Sequence, residues 1–136
     1  MTVRLDVYTC KACGVILEVL NGGQGKLTCC GSPMTRLAAR PADSTAQEHA
    51  VRVEQVPEGL KIDVGARPHP MTRAHHIGWI ELHSAGKIYR QFLQPGEAPE
   101  ATFSVFAADS VREYCNQHGL WQWPAEERAT NPRARS

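Results

Sequence analysis

The sequence predicts an all-β protein made of a small metal-bound domain followed by a larger antiparallel β-sandwich. Short segments in which polar and apolar residues alternate recur along the chain with turn residues between them, and helical periodicity is scarce. The cysteines and histidines are also separated, because four of the five cysteines lie in the first 30 residues and all six histidines follow them. This separation predicts two units, each with its own cluster of metal-binding side chains.

The composition is that of a globular protein with little net charge. The 136 residues are 42% hydrophobic and 21% charged, and the formal net charge is +1. This balance of charges lacks the excess of basic residues that is typical of nucleic-acid-binding proteins, and we expect no nucleic-acid partner. No apolar run approaches the ~20 residues that span a membrane, and the N-terminus has no signal-peptide core. We therefore expect a cytoplasmic protein with reduced thiols and no membrane association.

The first unit is expected to hold three short strands around four cysteines. Residues 3–7 alternate, residues 15–20 form a second apolar run, and residues 26–28 can return as a third strand. Strands this short bury little apolar area, and chains below ~40 residues usually need a metal or disulfides to fold. We therefore expect residues 1–37 to form a domain that is stabilised by a metal.

The four early cysteines form one candidate site. Cys10 and Cys13 have CxxC spacing, and Cys29 and Cys30 are adjacent. Four thiolates suit tetrahedral zinc or a single iron, and the spacing does not separate these two metals. Neighbouring residues of an extended strand point to opposite faces, so binding one ion with both requires a local kink. Gly31, which follows directly, makes such a kink easier.

The second unit is expected to be a β-sandwich over residues 49–123, reached through a linker. Residues 38–48 lack large apolar side chains and contain a proline, which is typical of a linker. The strands predicted beyond it cover residues 51–53, 60–64, 77–83, 87–93, 100–106 and 111–115. The best helix candidate, residues 107–112, is barely one turn. The polar residues 124–136 are expected to be a disordered tail.

The later histidines, together with the last cysteine, indicate a second metal site. Prolines on both sides of His69 fix the backbone of a loop that has no role in strand pairing. His75 follows in the same region. Cys115 and His118 have CxxH spacing, so one turn can bring both side chains to the same ion.

Seven motifs follow one another between residues 8 and 121. They are Tyr8-Thr-Cys-Lys-Ala-Cys-Gly, Cys29-Cys-Gly-Ser-Pro-Met, His49, Pro68-His-Pro-Met, Trp79-Ile-Glu-Leu, Phe92-Leu-Gln-Pro-Gly-Glu-Ala-Pro-Glu-Ala and Arg112-Glu-Tyr-Cys-Asn-Gln-His-Gly-Leu-Trp. In this order they closely resemble desulfoferrodoxin, the two-iron form of superoxide reductase, over residues 1–123. The resemblance implies a desulforedoxin-like first domain, an immunoglobulin-like sandwich after it, and a homodimer.

The resemblance also implies two irons with separate ligands. The first iron would be bound by Cys10, Cys13, Cys29 and Cys30, and the second by His49, His69, His75 and His118 in a plane with Cys115 axial. In the family, superoxide is reduced to hydrogen peroxide at the second iron, and an external donor, usually rubredoxin-like, restores the electron. Five mixed imidazole and thiolate donors suit iron better than tetrahedral zinc. His76 and His83 are expected to be structural or solvated.

One pair of residues departs from the family. Members typically carry Glu-Lys directly before the first histidine ligand, whereas this chain has Gln47 and Glu48, which are the candidate catalytic residues. Two unit charges ~6 Å apart interact by roughly 3 kcal/mol at an effective dielectric of ~20, so reversing the lysine charge should slow anion capture.

This departure leaves three hypotheses. In one hypothesis Glu48 acts as the carboxylate, with Arg52 or Arg73 supplying positive charge. In a second the enzyme works without the pair, and in a third it is an iron oxidase or oxygenase acting on an organic substrate.

Overall fold

The computed structural model describes residues 1–124, which belong to two compact units. The first unit comprises residues 1–38, and the second begins at residue 39. The predicted all-β fold class is confirmed, because the regular structure of the described residues consists of short strands and one 3-10 helix. Of the tail predicted at residues 124–136, all but Pro124 lies outside the described residues. No helix within residues 1–124 is long and apolar enough to cross a membrane.

A three-stranded antiparallel sheet forms the frame of the first unit. Its order is β2–β1–β5, with β1 at Val7–Thr9, β2 at Ile16–Glu18 and β5 at Thr35–Leu37. A separate hairpin joins β3 (Thr28–Cys29) to β4 (Ser32–Pro33). The buried apolar residues of this unit are Val7, Cys10 and Met34. Such a small core suits a domain that depends on a metal for its stability.

Two strand predictions in the first unit are wrong. The sequence predicts a first strand at residues 3–7, but β1 begins only at Val7, because Leu5 has a φ of 78° and the Asp6 carboxylate accepts a bond from the Val3 amide. The third strand of the sheet is β5 rather than residues 26–28, of which only Thr28 pairs. At the first of these places a local turn overrides the apolar alternation.

The second unit is an antiparallel sandwich of two sheets, as predicted. The larger sheet has the order β10–β9–β12–β13–β6 and the smaller sheet has the order β11–β8–β7. Their strands are β6 (Arg40–Pro41), β7 (Val51–Val56), β8 (Gly59–Val64), β9 (Ile77–Ser84), β10 (Lys87–Phe92), β11 (Glu100–Phe103), β12 (Ser110–Cys115) and β13 (Gly119–Trp123). Ile62 of the smaller sheet packs in one core cluster with Ile80, Leu82 and Val111 of the larger sheet, and all four are fully buried.

The segment predicted as a linker is instead largely part of the second unit. Strand β6 pairs in parallel with β13, Ala42 is fully buried, and a 3-10 helix covers Ser44–His49. The Ala42 amide donates to the Gln122 carbonyl at 2.8 Å, and the Val51 amide donates to the Ala42 carbonyl at 3.0 Å. The attachment is made by backbone groups, so the absence of large apolar side chains did not reveal it. The helix predicted at residues 107–112 is also wrong, because β12 begins at Ser110.

A buried carboxylate lies on the face of β9 that points away from the core. Glu81 is fully buried and accepts hydrogen bonds from Arg112 at 3.0 Å, Trp79 at 2.8 Å and Arg90 at 3.2 Å, and it also contacts His83. Burial alone would raise the pKa of Glu81, but the bond from His83 and the charge of Arg112 outweigh it and hold that pKa well below its usual range. The contact also shows that His83 is structural, as expected.

Replacing Glu81 with Gln is expected to lower the free energy of unfolding by about 3–5 kcal/mol at pH 7, because the buried arginines lose the charge that they face. The folded pKa lies below the unfolded value of ~4.3, so this stabilisation is present above about pH 4.3 and is lost as the pH falls below it. Urea unfolding followed by tryptophan fluorescence measures it, since all three tryptophans lie in the second unit. The exposed Glu58→Gln is the control, and equal losses in both variants would contradict the prediction.

Candidate metal centres

The four early cysteines converge at one point of the first unit. Their sulfur atoms all lie within 4.8 Å of one another, and Cys29 Sγ is 3.7 Å from Cys13 Sγ and 3.9 Å from Cys30 Sγ. Thiolates bound at ≈ 2.3 Å to one tetrahedral ion lie about 3.8 Å apart, so this donor set fits a single metal. The kink predicted at the adjacent pair is confirmed, because Cys30 and Gly31 have φ angles of 53° and 76° in the turn between β3 and β4.

The pKa values of these thiols show why the cluster needs a cation. A hydrogen bond from the backbone of Cys13 lowers the pKa of Cys10 to about 7. Hydrogen bonds with Cys10 and Cys13 raise the pKa of Cys29 to about 12. Four thiols this close cannot all ionise unless a positive charge lies between them, and a bound metal supplies that charge.

Four imidazole rings form a closed ring at one end of the sandwich. The distance between ring centroids is 4.8 Å from His49 to His69, 4.7 Å from His69 to His75, 5.0 Å from His75 to His118 and 5.1 Å from His118 to His49. His49 lies at the end of the 3-10 helix, His69 and His75 lie in the loop between β8 and β9, and His118 lies between β12 and β13. The structure thus brings together all four histidines that the resemblance implied.

Two of the four inward nitrogens of this ring lack a hydrogen-bond partner within residues 1–124, whereas the other two, His49 Nε2 and His118 Nδ1, lie 3.0 Å from each other. His69 Nε2 and His75 Nε2 are buried without a hydrogen-bond partner among the described residues. The ring of His69 is oriented by Nδ1, which is 2.7 Å from the Pro70 carbonyl oxygen; that contact assigns the proton to Nδ1 and leaves Nε2 free to bind a metal. Burial lowers the pKa of His69 to about 4 and also lowers the pKa of His49, so both imidazoles are neutral, as metal ligands must be.

A buried thiol and an exposed carboxylate both lie next to the imidazole ring. Cys115 is fully buried in the core cluster, and its Sγ is 3.8 Å from His118 Nδ1. Glu48 is half-exposed, and its Oε1 is 3.5 Å from His75 Nε2 and 3.7 Å from His69 Nε2. Burial raises the pKa of Cys115, which a bound cation would reverse. Four imidazoles with one thiol fit a five-donor metal site whose exposed side remains accessible.

Trp121 and Glu113 contact the ring of His49, and the sequence analysis did not assign a role to either residue. The indole of Trp121 stacks on the His49 ring with 4.5 Å between centroids and 7° between planes. Glu113 Oε1 is 3.5 Å from His49 Nδ1, a distance typical of ion pairs, yet burial raises the pKa of Glu113 to about 9, so both groups are neutral. A carboxyl group there can orient a metal-binding imidazole. Glu113 and Cys115 are two residues apart on one strand, and from this spacing alone the two side chains could have been placed on the same face.

Asn116 joins the loop of His75 to the turn of Cys115 and His118. Its side chain donates to the Ala74 carbonyl at 3.0 Å and accepts from the His76 amide at 2.8 Å, and its own amide donates to the His76 carbonyl at 3.2 Å. Gln117 Nε2 also donates to the Ala74 carbonyl, at 2.7 Å. These bonds hold the two ligand-bearing loops in register. The ring of His76 has its own local contact, because its Nδ1 lies 3.1 Å from the Thr72 carbonyl oxygen, which fits the structural role expected for it.

A cavity of about 440 Å³ opens beside the exposed side of the ring, and Gln47, Glu48, Arg67 and His69 are among the residues that line it. The two arginines expected to supply positive charge there, Arg52 and Arg73, are not among its lining residues. Arg52 is held elsewhere, because its guanidinium lies 3.0 Å from the Asp63 carboxylate. That pair lies on neighbouring strands β7 and β8.

Comparisons with known proteins cover both units. The family model described as Desulfoferrodoxin, N-terminal domain matches residues 2–37, and the model described as Desulfoferrodoxin matches residues 42–124. A desulfoferrodoxin of Desulfarculus baarsii is 49% identical over 123 residues, which is 90% of this chain and 98% of that protein. A superoxide reductase of Pyrococcus horikoshii is 29% identical over 109 residues, which is 65% of this chain and 95% of that protein.

A solved structure agrees with these matches. The superoxide reductase from Treponema pallidum has a TM-score of 0.71 and 25% sequence identity, and the match covers 90% of this chain and 98% of that one. The shared fold supports the desulforedoxin-like and immunoglobulin-like architecture that the sequence motifs implied.

Replacing Asn116 with Ala is expected to weaken metal binding at the histidine–cysteine centre about 10- to 100-fold, because the loops that carry its ligands lose their shared hydrogen bonds. Chelator competition, followed through the thiolate–metal absorbance of Cys115, measures the affinity. Asn21→Ala, in an exposed turn of the first unit, is the control. If the two variants keep the same affinity, Asn116 does not hold the ligand loops together.

Proposed function

This chain belongs to the desulfoferrodoxin family, and on that premise we propose that it is a non-haem iron superoxide reductase. Superoxide takes up one electron and two protons at the histidine–cysteine centre and leaves as hydrogen peroxide. The observation that carries the proposal is the ring of four imidazoles with the buried thiol of Cys115 beside His118 and the half-exposed carboxylate of Glu48 beside His69 and His75. A small anion can approach the ring beside Glu48, which is exposed to solvent.

We assign iron to both centres, with Cys10, Cys13, Cys29 and Cys30 at the first, and His49, His69, His75, His118 and Cys115 at the second. Iron bound at the second centre supplies the electron for superoxide. The four imidazoles bring no negative charge, so among the five ligands only the Cys115 thiolate offsets the charge of the cation, and the ligand set leaves a positive potential that attracts an anion. The buried position of Cys115 keeps water away from the thiolate.

Glu48 rather than Gln47 is proposed as the carboxylate of the centre. Its distances of 3.5 and 3.7 Å to two ring nitrogens support this role. Because Glu48 is half-exposed, its Oε1 can exchange protons with water and pass them to the departing peroxide. The Gln47 carbonyl accepts a bond from the Ala66 amide at 2.7 Å, and the 3-10 helix is kinked at Gln47. The Gln47 side chain lines the cavity, where its amide can donate to the anion.

The partners of the reaction are also proposals. Each superoxide consumes one electron, so an external donor, rubredoxin-like by family resemblance, must restore it. The same resemblance supports a homodimer. All five cysteines are unpaired, which suits the reducing cytoplasm.

The activity is tested by mixing superoxide with the iron-loaded ferrous protein and measuring the second-order rate constant. We expect a value near the diffusional ceiling of ~10⁸–10⁹ M⁻¹s⁻¹. Cys115→Ser should lower it at least about 100-fold, while Cys13→Ser, which disrupts only the first centre, should leave it unchanged. A wild-type rate several decades below the ceiling would contradict the proposal and favour an oxidase or oxygenase with an organic substrate.

Glu48→Gln is expected to accelerate the encounter with superoxide about threefold or more at low salt, because a negative charge leaves the entrance. The release of hydrogen peroxide should become slower, since the amide cannot carry a proton. Pulse radiolysis separates the two steps, because only the first depends on protein concentration. Glu54→Gln, an exposed change of the same charge on β7, is the control. Unchanged kinetics in Glu48→Gln would show that this carboxylate does not face the substrate.

A further inference from the structure

Superoxide is an anion, yet the acidic side chain of Glu48 lies at the entrance to its proposed site. A cation nearby would offset this charge, and four arginines lie in the segments around the imidazole ring. Arg40 is engaged by the fold, because its guanidinium lies 4.2 Å over the Trp121 ring and donates to the His118 carbonyl at 3.4 Å. Arg52 is paired with Asp63, and Arg73 is not among the residues that line the cavity.

Arg67 differs from these three arginines. It lines the cavity of about 440 Å³ together with Gln47, Glu48 and His69, and it is exposed. Within residues 1–124 it forms no ion pair, so its charge is not neutralised by a neighbouring carboxylate. It stands two residues before His69, whose Nε2 belongs to the ring.

The loop that carries Arg67 is held tightly against the segment that carries Glu48. The Gly65 amide donates to the Ala50 carbonyl and the Ala66 amide donates to the Gln47 carbonyl, both at 2.7 Å, and the His69 amide donates to the Val64 carbonyl at 3.2 Å. Gly65 has a φ of 95°, and a Cβ there would collide with the carbonyl oxygen of Arg67. Glycine is therefore required, and the position of the Arg67 backbone at the cavity wall is well defined.

We propose that Arg67 is the cation that guides superoxide into the cavity and towards the imidazole ring, on the face where Glu48 lies. The proposal rests on the proposed function for the identity of the anion. A guanidinium group carries a permanent positive charge. An exposed charge acts over about 8–10 Å at ordinary ionic strength, which covers the width of such a cavity. The positive charge thus comes from the loop before His69 and not from the residue before His49.

The test compares three variants of the full-length, iron-loaded protein. Arg67→Gln removes the charge, Arg67→Lys keeps it, and Lys87→Gln removes an equal charge from an exposed position in the hairpin of β9 and β10. The first readout is the second-order rate constant with superoxide from low to high ionic strength. The second readout is the affinity for azide, an anion that is not a substrate, measured by absorbance titration.

Arg67→Gln is expected to lower both the rate constant and the azide affinity by about threefold to tenfold at low salt, and the difference should vanish at high salt. Arg67→Lys and Lys87→Gln should stay close to the wild type at every ionic strength. The proposal is overturned if Arg67→Gln matches the wild type, or if Lys87→Gln shows the same loss. Should the wild type react slowly with superoxide, the proposed function fails, and the azide titration still decides the role of Arg67.

Discussion

The second centre depends on burying imidazole nitrogens close together, and those of His69 and His75 have no hydrogen-bond partner among the described residues. Each such group costs about 1–3 kcal/mol, so the arrangement persists only where the surrounding structure holds every ring in place. The contact that fixes the orientation differs from one histidine to the next. His69 is oriented by the Pro70 carbonyl, His49 by the stacked Trp121, and the loop of His75 by Asn116. The segments that carry these contacts are attached to a sandwich whose core side chains are almost fully buried. A core packed this closely limits the movement of the rings.

Around the second centre the buried groups are neutral, whereas the groups at its entrance are charged. Burial keeps His49 and His69 uncharged and keeps Glu113 protonated behind them, so a bound cation meets no buried anion except the Cys115 thiolate. Charged groups appear only at the exposed side, where water screens them. The acidic residue Glu48 can therefore stand directly before His49 as long as a cationic side chain from another loop offsets its charge.

The two units hold their metals in different ways. The first unit has few buried apolar residues, and in a domain with so small a core a bound metal ion contributes much of the stability. The second unit has an extensive apolar core, and Cys115 is the only one of the five ligands that belongs to it, because the four histidines stand in loops or at the end of the 3-10 helix. These loops can therefore vary in charge and access while the core of the fold stays the same.

Local patterns in the sequence determined most of the strands of the second unit, the turn between β7 and β8, the turn between β9 and β10, the kink at Cys30 and, through the ordered motifs, both ligand sets. Apart from the ligand sets, which the resemblance to the family implied, these features depend on residues close together in the chain. Strand β6, strand β13 and the roles of Glu113 and Asn116 were decided by the tertiary structure alone, because each rests on pairing between distant segments. The choice among the arginines belongs to the same group. Arg52 is paired with Asp63 because β7 pairs with β8, and Arg67 lines the cavity because the backbone of its loop is hydrogen-bonded to residues 47–50. No local pattern in the sequence predicts either contact.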